Sequence, residues 1–186
     1  MASGIGTGDV LRPSAADASV RPARPGDAPA IAAVQARAWR QAFAAMLAAD
    51  ALEESHLAES WRRAVMQPPS PRHAVLVATS AGNVVGFVAV APATDPDLDS
   101  RVGEITVLAV DPAHQHAGHG SRLLSAAAST LRETGATGVV AWLPVPDAVV
   151  RNFLASAGMV TDGARRTLAA ADGSTITQLR LTAALA

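Results

Sequence analysis

The segment from Leu108 to Leu124 carries the residue types best suited to binding an anion. An apolar run ends at Asp111-Pro112, and Gly118 and Gly120 precede a run with helical periodicity. Glycines let the backbone approach a ligand closely, and the unpaired amides at a helix start favour phosphate. Arg122, in the first turn, could add a charge-assisted contact. These residues indicate a phosphate site, although a Gly-x-Gly turn before a helix also occurs for steric reasons alone.

Three histidines in this loop, His114, His116 and His119, raise the question of a metal site. Imidazole is a common zinc ligand. The loop glycines, however, are expected to turn backbone amides towards a phosphate and to leave these side chains facing water. Asp111 is the one carboxylate close by in the sequence. We therefore expect no metal ion here.

Size and composition limit the classes of function. The chain has 186 residues, enough for one well-buried domain. Its formal net charge of −1 gives no basic field for nucleic acid, and it has no cysteine for a disulfide or thiolate. No apolar run is long enough to span a membrane. We therefore expect a cytoplasmic protein with neither a nucleic-acid nor a membrane partner.

Hydrophobic periodicity predicts a series of strands and helices. Strands are expected at residues 20–23, 73–79, 84–91, 104–110, 139–143, 165–170 and 175–181. Helices are expected at residues 28–44, 52–66, 120–134 and 147–157. Turns are expected at Pro25-Gly26-Asp27, Gly82-Asn83 and Asp172-Gly173. This order predicts a mixed sheet with helices on both of its faces.

The loop and its flanks resemble a known family. The predicted strand is followed by the sequence Val-Asp-Pro, then Gln-x-x-Gly-x-Gly, then Leu-Leu. This succession resembles the acetyl-CoA signature of GNAT acetyltransferases. Similar features are Val20-Arg21-Pro22-Ala23 with Gly26-Asp27, Val85-Gly86-Phe87, and Phe153 to Met159. The resemblance covers about residues 20–181 and implies the GNAT fold, with a mostly antiparallel central sheet of six to seven strands. We predict a GNAT domain at residues 20–186 after a flexible leader at residues 1–19.

The resemblance implies acetyl-CoA as the cosubstrate, without a metal. It assigns cofactor contacts to Leu108, Ala109, Val110, Gln115, His116, Ala117, Gly118, His119, Gly120 and Ser121. The amides of residues 115–120 would hold the pyrophosphate, and residues 108–110 would pair with the pantetheine arm like an added strand. In this family the strands equivalent to residues 104–110 and 139–143 splay apart to admit that arm. The Val110 N–H would then polarise the thioester carbonyl.

Glu104 is the candidate catalytic base. Direct attack by an amine requires the ammonium group to lose a proton, often through water. Glu104 starts the predicted cofactor strand, where similar enzymes often keep a Glu. The alternative is a structural role, in which Glu104 pairs with Arg101 or caps a strand end.

The pattern departs from the family at the general acid. Family members protonate the leaving thiolate with a Tyr in the helix after the fifth strand, but Leu154 stands there and the chain has no Tyr. Asp147, Val150 and Met159 also replace the usual Asn, Ala and Phe. Three interpretations stay open: the thiol leaves as a thiolate at neutral pH, Ser156 or a water replaces the acid, or the protein binds acyl-CoA with little turnover.

The predicted function is transfer of an acetyl group from acetyl-CoA to a primary amine by direct attack. A catalytically weakened acyl-CoA-binding or regulatory module is the alternative. A phosphate-binding module for another nucleotide would be favoured only if CoA failed to bind and an adenine nucleotide bound.

The acceptor amine is not identified by the sequence, because fold does not give substrate. Trp39 and Phe43, one helical turn apart, either line its site or pack in the core, and core packing is preferred. Asp95, Asp97 and Asp99 suggest calcium or an acidic rim for a cationic amine, but a solvated loop explains them as simply. An exposed sheet edge or the C-terminal hairpin could pair with a second copy, which allows a homodimer.

Overall fold

The computed structural model of the chain describes residues 18–43, 52–169, 173 and 175–185. Within these ranges it has seven strands and four α-helices, which are β1 (Ser19–Pro22), α1 (Ala28–Phe43), α2 (Glu54–Met66), β2 (Ala74–Ser80), β3 (Asn83–Pro92), β4 (Val102–Val110), α3 (His119–Glu133), β5 (Gly138–Pro144), α4 (Ala148–Ser156), β6 (Val160–Ala169) and β7 (Thr175–Ala184). The predicted leader at residues 1–19 lies outside the described residues up to residue 17, and Ser19 already belongs to β1.

The strands form one sheet in the order β1-β2-β3-β4-β5-β7-β6. Every neighbouring pair is antiparallel except β4 with β5, which are parallel. The predicted order of elements is confirmed, and so is the mixed, mostly antiparallel sheet.

Helices cover both faces of the sheet, as predicted. Ile31 and Val34 of α1 pack with Val77, Phe87 and Ala109 on one face. The other face carries a larger core that includes residues of α3 and α4: Leu76, Val88, Ile105, Leu123, Leu131 and Leu154. Side chains alternate along each strand, so both sheet faces are apolar and the strands are buried between two layers. Among the described helices, none is both long enough and apolar enough to cross a membrane.

Strands β4 and β5 pair over only the first half of their length and then splay apart. Their pairing runs from Val102 opposite Gly138 to Ile105 opposite Ala141. Beyond that point β4 continues to pair with β3 only, and β5 with β7 only. A bulge at Thr106, where the register with β3 shifts, accompanies the separation. The parting leaves a cleft through the middle of the sheet.

Two predicted boundaries were wrong for reasons of local geometry. Ser80 pairs with Asn83, so the first hairpin turns at Ala81 and Gly82, which both have positive φ, rather than at Gly82-Asn83. Strand β6 begins at Val160 rather than at residue 165. Gly163, with φ of 88°, lies in a register shift there and interrupts the alternation on which the prediction depended. The predicted turn at Asp172-Gly173 lies largely outside the described residues.

Candidate active site

A cavity of about 280 Å³ occupies the cleft between β4 and β5. Its walls come from both faces of the sheet: Trp39, Phe43, Ile105, Thr106, Val107, Leu108, Ala141, Trp142, Leu143, Pro144, Asp147, Val150, Leu154, Leu168, Ile176 and Gln178. Trp39 and Phe43 were expected in the core with slight preference, but both are only partly buried and line this cavity. Their helix ends beside the cleft, so its last turn faces the opening rather than the core.

The predicted phosphate loop lies between β4 and α3. His116 and Gly118 have φ of 60° and 77°, a conformation that L side chains rarely adopt. In this part of the described chain, no backbone hydrogen bond uses an amide of residues 116–121 as its donor; the next is Arg122, which donates to the Gly118 carbonyl at 3.1 Å. Six successive amides are therefore available to an anion.

Asp111 anchors this loop to the rest of the fold. Its carboxylate accepts from the Ala113 N–H at 3.0 Å and from the Arg37 Nε at 2.9 Å. Burial opposes ionisation, but these hydrogen bonds and the Arg37 charge outweigh it and lower the pKa of Asp111. Arg37 was missed by sequence reasoning, because no spacing relates a residue of α1 to one 74 positions later.

His119 corrects the expectation that the loop histidines all face water. His114 and His116 are exposed, but His119 is 4% exposed at the first position of α3. Burial lowers its pKa, and the nearby charges of Arg122 and His114 lower it further, so the ring is neutral at neutral pH. In the described residues no group of three His, Asp or Glu is arranged to hold a metal ion.

Arg122 and Gly120 complete the start of α3. The Arg122 guanidinium donates to the Ala117 carbonyl at 3.2 Å, which holds its charge beside the loop. A Cβ added to Gly120 would lie 3.4 Å from the Phe153 ring, so α4 packs closely here. The remaining loop residues predicted to contact the cofactor, Gln115, Ala117 and Ser121, are exposed.

The three predicted cofactor residues of β4 are placed differently. Leu108 lines the cavity and packs with Val110 in the α3-side core, whereas Ala109 packs towards α1. The Asp111 N–H donates to the Val85 carbonyl at 2.8 Å. Since successive amides alternate between the two edges of a strand, those of Val110 and Leu108 point away from β3, towards the cleft.

Glu104 lies half-buried on the face of β4 that points towards α1, because Gly103 and Ile105 on either side of it face α3. Burial raises the pKa of the Glu104 carboxyl; the charge of Arg166 opposes this shift and that of Asp95 adds to it. Glu104 does not line the cavity, but the next four residues of the strand do.

Arg101, the alternative structural partner of Glu104, forms an ion pair with a different residue. Arg101 donates to the Asp99 carboxylate through its Nε at 3.2 Å. The described side chains therefore give no support to the Glu104–Arg101 pair.

Leu154 faces the cavity at the position where a Tyr general acid was expected. It is 1% exposed and packs with Val150. Asp147 also lines the cavity, and its carboxylate caps α4 by accepting from the Val150 N–H at 3.1 Å. Ser156 is exposed, donates to the Phe153 carbonyl at 2.7 Å and does not line the cavity. Its position offers no support for Ser156 as a substitute acid.

Arg180 forms an ion-pair cluster that the sequence did not predict. It is 5% exposed and donates to Asp97 at 2.9 and 2.6 Å and to Asp162 at 2.7 Å. These hydrogen bonds raise the pKa of Arg180 and lower that of Asp97. No spacing in the sequence indicates the pair, because Arg180 and Asp97 are 83 positions apart.

Trp142 joins the same cluster on the cavity side. Its Nε1 lies 3.2 Å from an Asp95 oxygen, and the guanidinium carbons of Arg166 and Arg180 lie 4.5 and 5.5 Å from its ring centroid. Two of the three aspartates expected in a solvated loop are thus bound to interior partners, and Asp99 pairs with Arg101. They do not form an unpaired acidic rim.

Comparison with known proteins agrees with this geometry. Residues 36–159 match the model of the Acetyltransferase (GNAT) family. No curated protein matches the sequence. The fold is similar to that of a putative acetyltransferase, yncA, from Salmonella typhimurium, solved with acetyl-CoA, with 20% identity over 91% of this chain and 95% of that chain and a TM-score of 0.70.

Two further solved structures are similar to the chain. The ribosomal-protein-alanine N-acetyltransferase from Brucella melitensis is 20% identical over 90% of this chain and 99% of that chain, with a TM-score of 0.69. The paia N-acetyltransferase from Thermoplasma acidophilum, solved with coenzyme A, is 17% identical over 87% and 97%, with a TM-score of 0.68. At these identities the solved structures establish the fold, and the family model, which spans most of the chain, establishes the family. The chain therefore belongs to the GNAT family of acetyltransferases, which use acetyl-CoA as their cosubstrate.

Proposed function

We propose that the chain transfers an acetyl group from acetyl-CoA to a primary amine by direct attack. The observation that carries this proposal is the parting of β4 and β5 after Ile105 and Ala141, beside a loop with six free amides. A phosphate-binding loop and a slot through the sheet are both needed to hold a long anionic thioester with its reactive end inside the fold.

The free amides of the loop and the Arg122 guanidinium would hold the pyrophosphate of acetyl-CoA. The pantetheine arm would follow the open edge of β4, where the amides of Leu108 and Val110 point into the cleft. The sequence prediction chose Val110 as the donor to the thioester carbonyl. Because the cavity reaches Leu108 but not Val110, we assign that contact to the Leu108 N–H, and we leave Val110 to the arm.

Glu104 would act as the base through a water molecule, since its side chain lies next to the cavity but not in its wall. A carboxylate with a raised pKa accepts a proton more readily than a normal one. The ammonium group of the acceptor loses a proton through this water to Glu104, and the neutral nitrogen attacks the carbonyl carbon. A C–N bond forms, the C–S bond breaks, the CoA sulfur leaves with the electron pair, and the nitrogen releases its second proton to solvent.

No described side chain of the cavity is a suitable acid for that sulfur. Thiols have pKa values of about 8.5, so the thiolate is a competent leaving group at neutral pH and can take its proton from water. The absence of Tyr from the chain and the buried Leu154 in the cavity wall support this unassisted departure. The same observation favours the second candidate, a weakened acyl-CoA-binding or regulatory module.

Measurement of thiol release from acetyl-CoA with a set of primary amines separates these two functions. The enzyme is expected to release CoA only when an amine is present, with the amine gaining one acetyl group by mass spectrometry. Release that is independent of every amine, or none above the uncatalysed reaction in a protein that binds acetyl-CoA, would support the module instead.

The cytoplasmic location and the homodimer stay predictions of this account. Fractionation of cells that express the full chain tests the first. Sedimentation of the purified chain tests the second, for which the edge strands β1 and β6 are the candidate contacts.

A further inference from the structure

The cavity has a half that the cosubstrate would not fill, on the face of the sheet towards α1. Ala141 and Leu143 of β5 pack in the α3-side core, so Trp142 between them points to the α1 face. Across the sheet Trp142 pairs with Arg180 on β7. Ile176 and Gln178 precede Arg180 at alternate positions and therefore share its face.

The walls of this half are almost wholly apolar. Trp39 and Phe43 form an edge-to-face pair, with ring centroids 6.4 Å apart, at the end of α1. Leu168 and Ile176 are cross-strand partners on the β6–β7 hairpin. Trp142 supplies the sheet side of the wall. Together these five residues form an apolar cage.

Few polar side chains border the cage among the described residues. Gln178 lines the cavity, but its Oε1 accepts from the Arg166 Nε at 2.6 Å. Asp147 is the one charged residue among the described lining residues, and it belongs to α4 on the opposite side of the cleft. The body of an acceptor in the cage would therefore meet mainly apolar side chains, and the carboxylate next to the cavity on this face, Glu104, is already assigned to the reacting nitrogen.

The positive charges next to the cage, on Arg166 and Arg180, disfavour an acceptor that carries a second cationic group. The guanidinium groups of Arg166 and Arg180 both lie over the Trp142 ring, so two positive charges already stand close to the cage. The neighbouring carboxylates of Asp97 and Asp162 are bound to Arg180. A polyamine would bring a second positive charge towards the Arg166 guanidinium, and the nearby carboxylate of Glu104 is already assigned to the reacting nitrogen.

The size of the cavity limits the acceptor as well. Ligand pockets commonly have volumes of roughly 300–1,000 Å³. The cavity here has a volume of about 280 Å³ and must also hold the acetyl end of the cosubstrate. The space left in the cage fits a ring or a branched aliphatic group, and little more.

We propose that the acceptor is a small primary amine with an aromatic or branched apolar body and no second charge, of the arylalkylamine type. This inference rests on the proposed function, since it names the substrate class of the same site. The amine nitrogen would lie near Thr106 and Val107, next to Glu104, and the apolar body would fill the cage.

A longer acceptor is the main competitor. A second groove, with a volume of about 530 Å³, lies between α2 and the strands β2 and β3, and it also reaches Thr106. A peptide could use that groove for residues after its first. The test therefore includes a peptide whose first residue is Phe, which offers the same apolar body with a chain attached.

The first experiment compares acceptors with the wild-type chain and saturating acetyl-CoA. The probes are 2-phenylethylamine, putrescine, ethylamine and a short peptide that begins with Phe. We expect kcat/KM for 2-phenylethylamine to exceed each of the others by at least about tenfold, the scale on which an apolar pocket discriminates. A preference for putrescine, or for the peptide, would overturn the proposal.

The second experiment places a charge in the cage. Leu168 is 44% exposed, so Leu168→Glu is expected to fold. It should lower kcat/KM for 2-phenylethylamine at least about tenfold, shift preference towards putrescine, and leave the KM for acetyl-CoA unchanged. Val160→Glu is the matched control, on the same strand, 63% exposed and outside the cavity wall, and should change neither value. Equal effects of the two variants would contradict the cage.

Failure of the proposed function can be distinguished from failure of this inference. If acetyl-CoA binds but no amine is acetylated, the proposed function fails. Calorimetric titration of the CoA complex with 2-phenylethylamine and with putrescine then decides the inference. Tighter binding of 2-phenylethylamine that Leu168→Glu abolishes supports the cage, whereas equal or weaker binding than putrescine rejects it.

Discussion

Glu104 is a carboxylate kept half-buried beside an apolar cavity, and its environment has two measurable consequences. Burial raises its pKa because the charged form loses hydration, and Arg166 compensates only in part. A raised pKa suits a base that works near neutral pH. The same burial disfavours the folded state whenever the carboxylate is ionised.

The first consequence concerns the rate. The base must be ionised, so kcat/KM should rise with pH through a pKa above the usual value of about 4.3 for Glu. Glu104→Gln should lower kcat about 10²-fold and remove this acidic limb. The pH dependence of thiol release for the two proteins checks this. A limb that persists in Glu104→Gln would assign Glu104 a structural role.

The second consequence concerns stability. Because the folded pKa is raised, the contribution of Glu104 to stability is fully present below the unfolded pKa of about 4.3 and is lost as pH rises through the folded pKa. Glu104→Gln should therefore melt at a higher temperature than the wild type at pH 8. Below pH 4 the two melting temperatures should converge. A difference that does not vary with pH would show that the carboxylate is better solvated than its burial indicates.

At the scale of elements, we expect the loop and the start of α3 to act together as one anion-binding unit. Gly118 has φ of 77°, and a Cβ there would lie 3.5 Å from the Arg122 guanidinium. Asp and Asn both tolerate this backbone conformation and have nearly the same shape. Substitutions of Gly118 by Asp and by Asn are therefore a matched pair: both impose the same backbone strain, but only Asp adds a negative charge.

Gly118→Asp should weaken acetyl-CoA binding about 100-fold or more, because its carboxylate repels the pyrophosphate and pairs with Arg122. Gly118→Asn should weaken binding by less than about tenfold, which corresponds to about 1.4 kcal/mol. Calorimetry gives both affinities, and circular dichroism checks that both variants fold. Equal affinities would mean that the pyrophosphate does not contact this loop.

The same elements show what the sequence could predict. The loop, β4 and α3 are encoded by neighbouring residues, through glycine positions and hydrophobic periodicity, and their order was predicted correctly. The start of β6 was not, because Gly163 breaks the alternation within the strand. The burial of His119 depends on which side of α3 packs inward, and this is decided by the sheet beneath rather than by the loop.

Contacts between distant residues were beyond sequence reasoning altogether. Arg180 could be paired with Asp97 only once the topology had brought β7 beside the loop before β4. Trp39 could be assigned to the cavity only once the end of α1 had been located beside the cleft. The apolar cage depends on both facts, so it could be inferred from the structure but not from the sequence.

At the scale of the whole molecule, Arg180 ties the loop between β3 and β4 to the C-terminal hairpin. Arg180→Met keeps much of the volume but leaves Asp97 and Asp162 without their cation. We expect a larger loss of stability than for an exposed ion pair, because Arg180 is buried, but a smaller one than for a fully buried pair, because Asp97 is well exposed. For a chain of this size the melting temperature should fall by roughly 2–4 °C for each kcal/mol of stability lost.

Thermal melts at several pH values check this prediction. The pKa of Asp97 is lowered by its bond to Arg180, so its contribution is present above the unfolded value of about 3.9 and is lost as pH falls through the folded pKa. The difference between wild type and Arg180→Met should therefore shrink on acidification. Asp99→Asn, which removes an exposed pair with Arg101, should melt at nearly the same temperature as the wild type. An equal loss in both variants would contradict a special role for Arg180.

The most direct test of the whole account is calorimetric titration of the purified chain with acetyl-CoA. The slot between β4 and β5 and the free amides of the loop predict one molecule bound per chain, with a dissociation constant between about 1 μM and 1 mM. They also predict that ATP does not compete effectively, because it has no pantetheine arm to fill the slot. Failure of a folded chain to bind acetyl-CoA, or equally tight binding of ATP, would contradict the account.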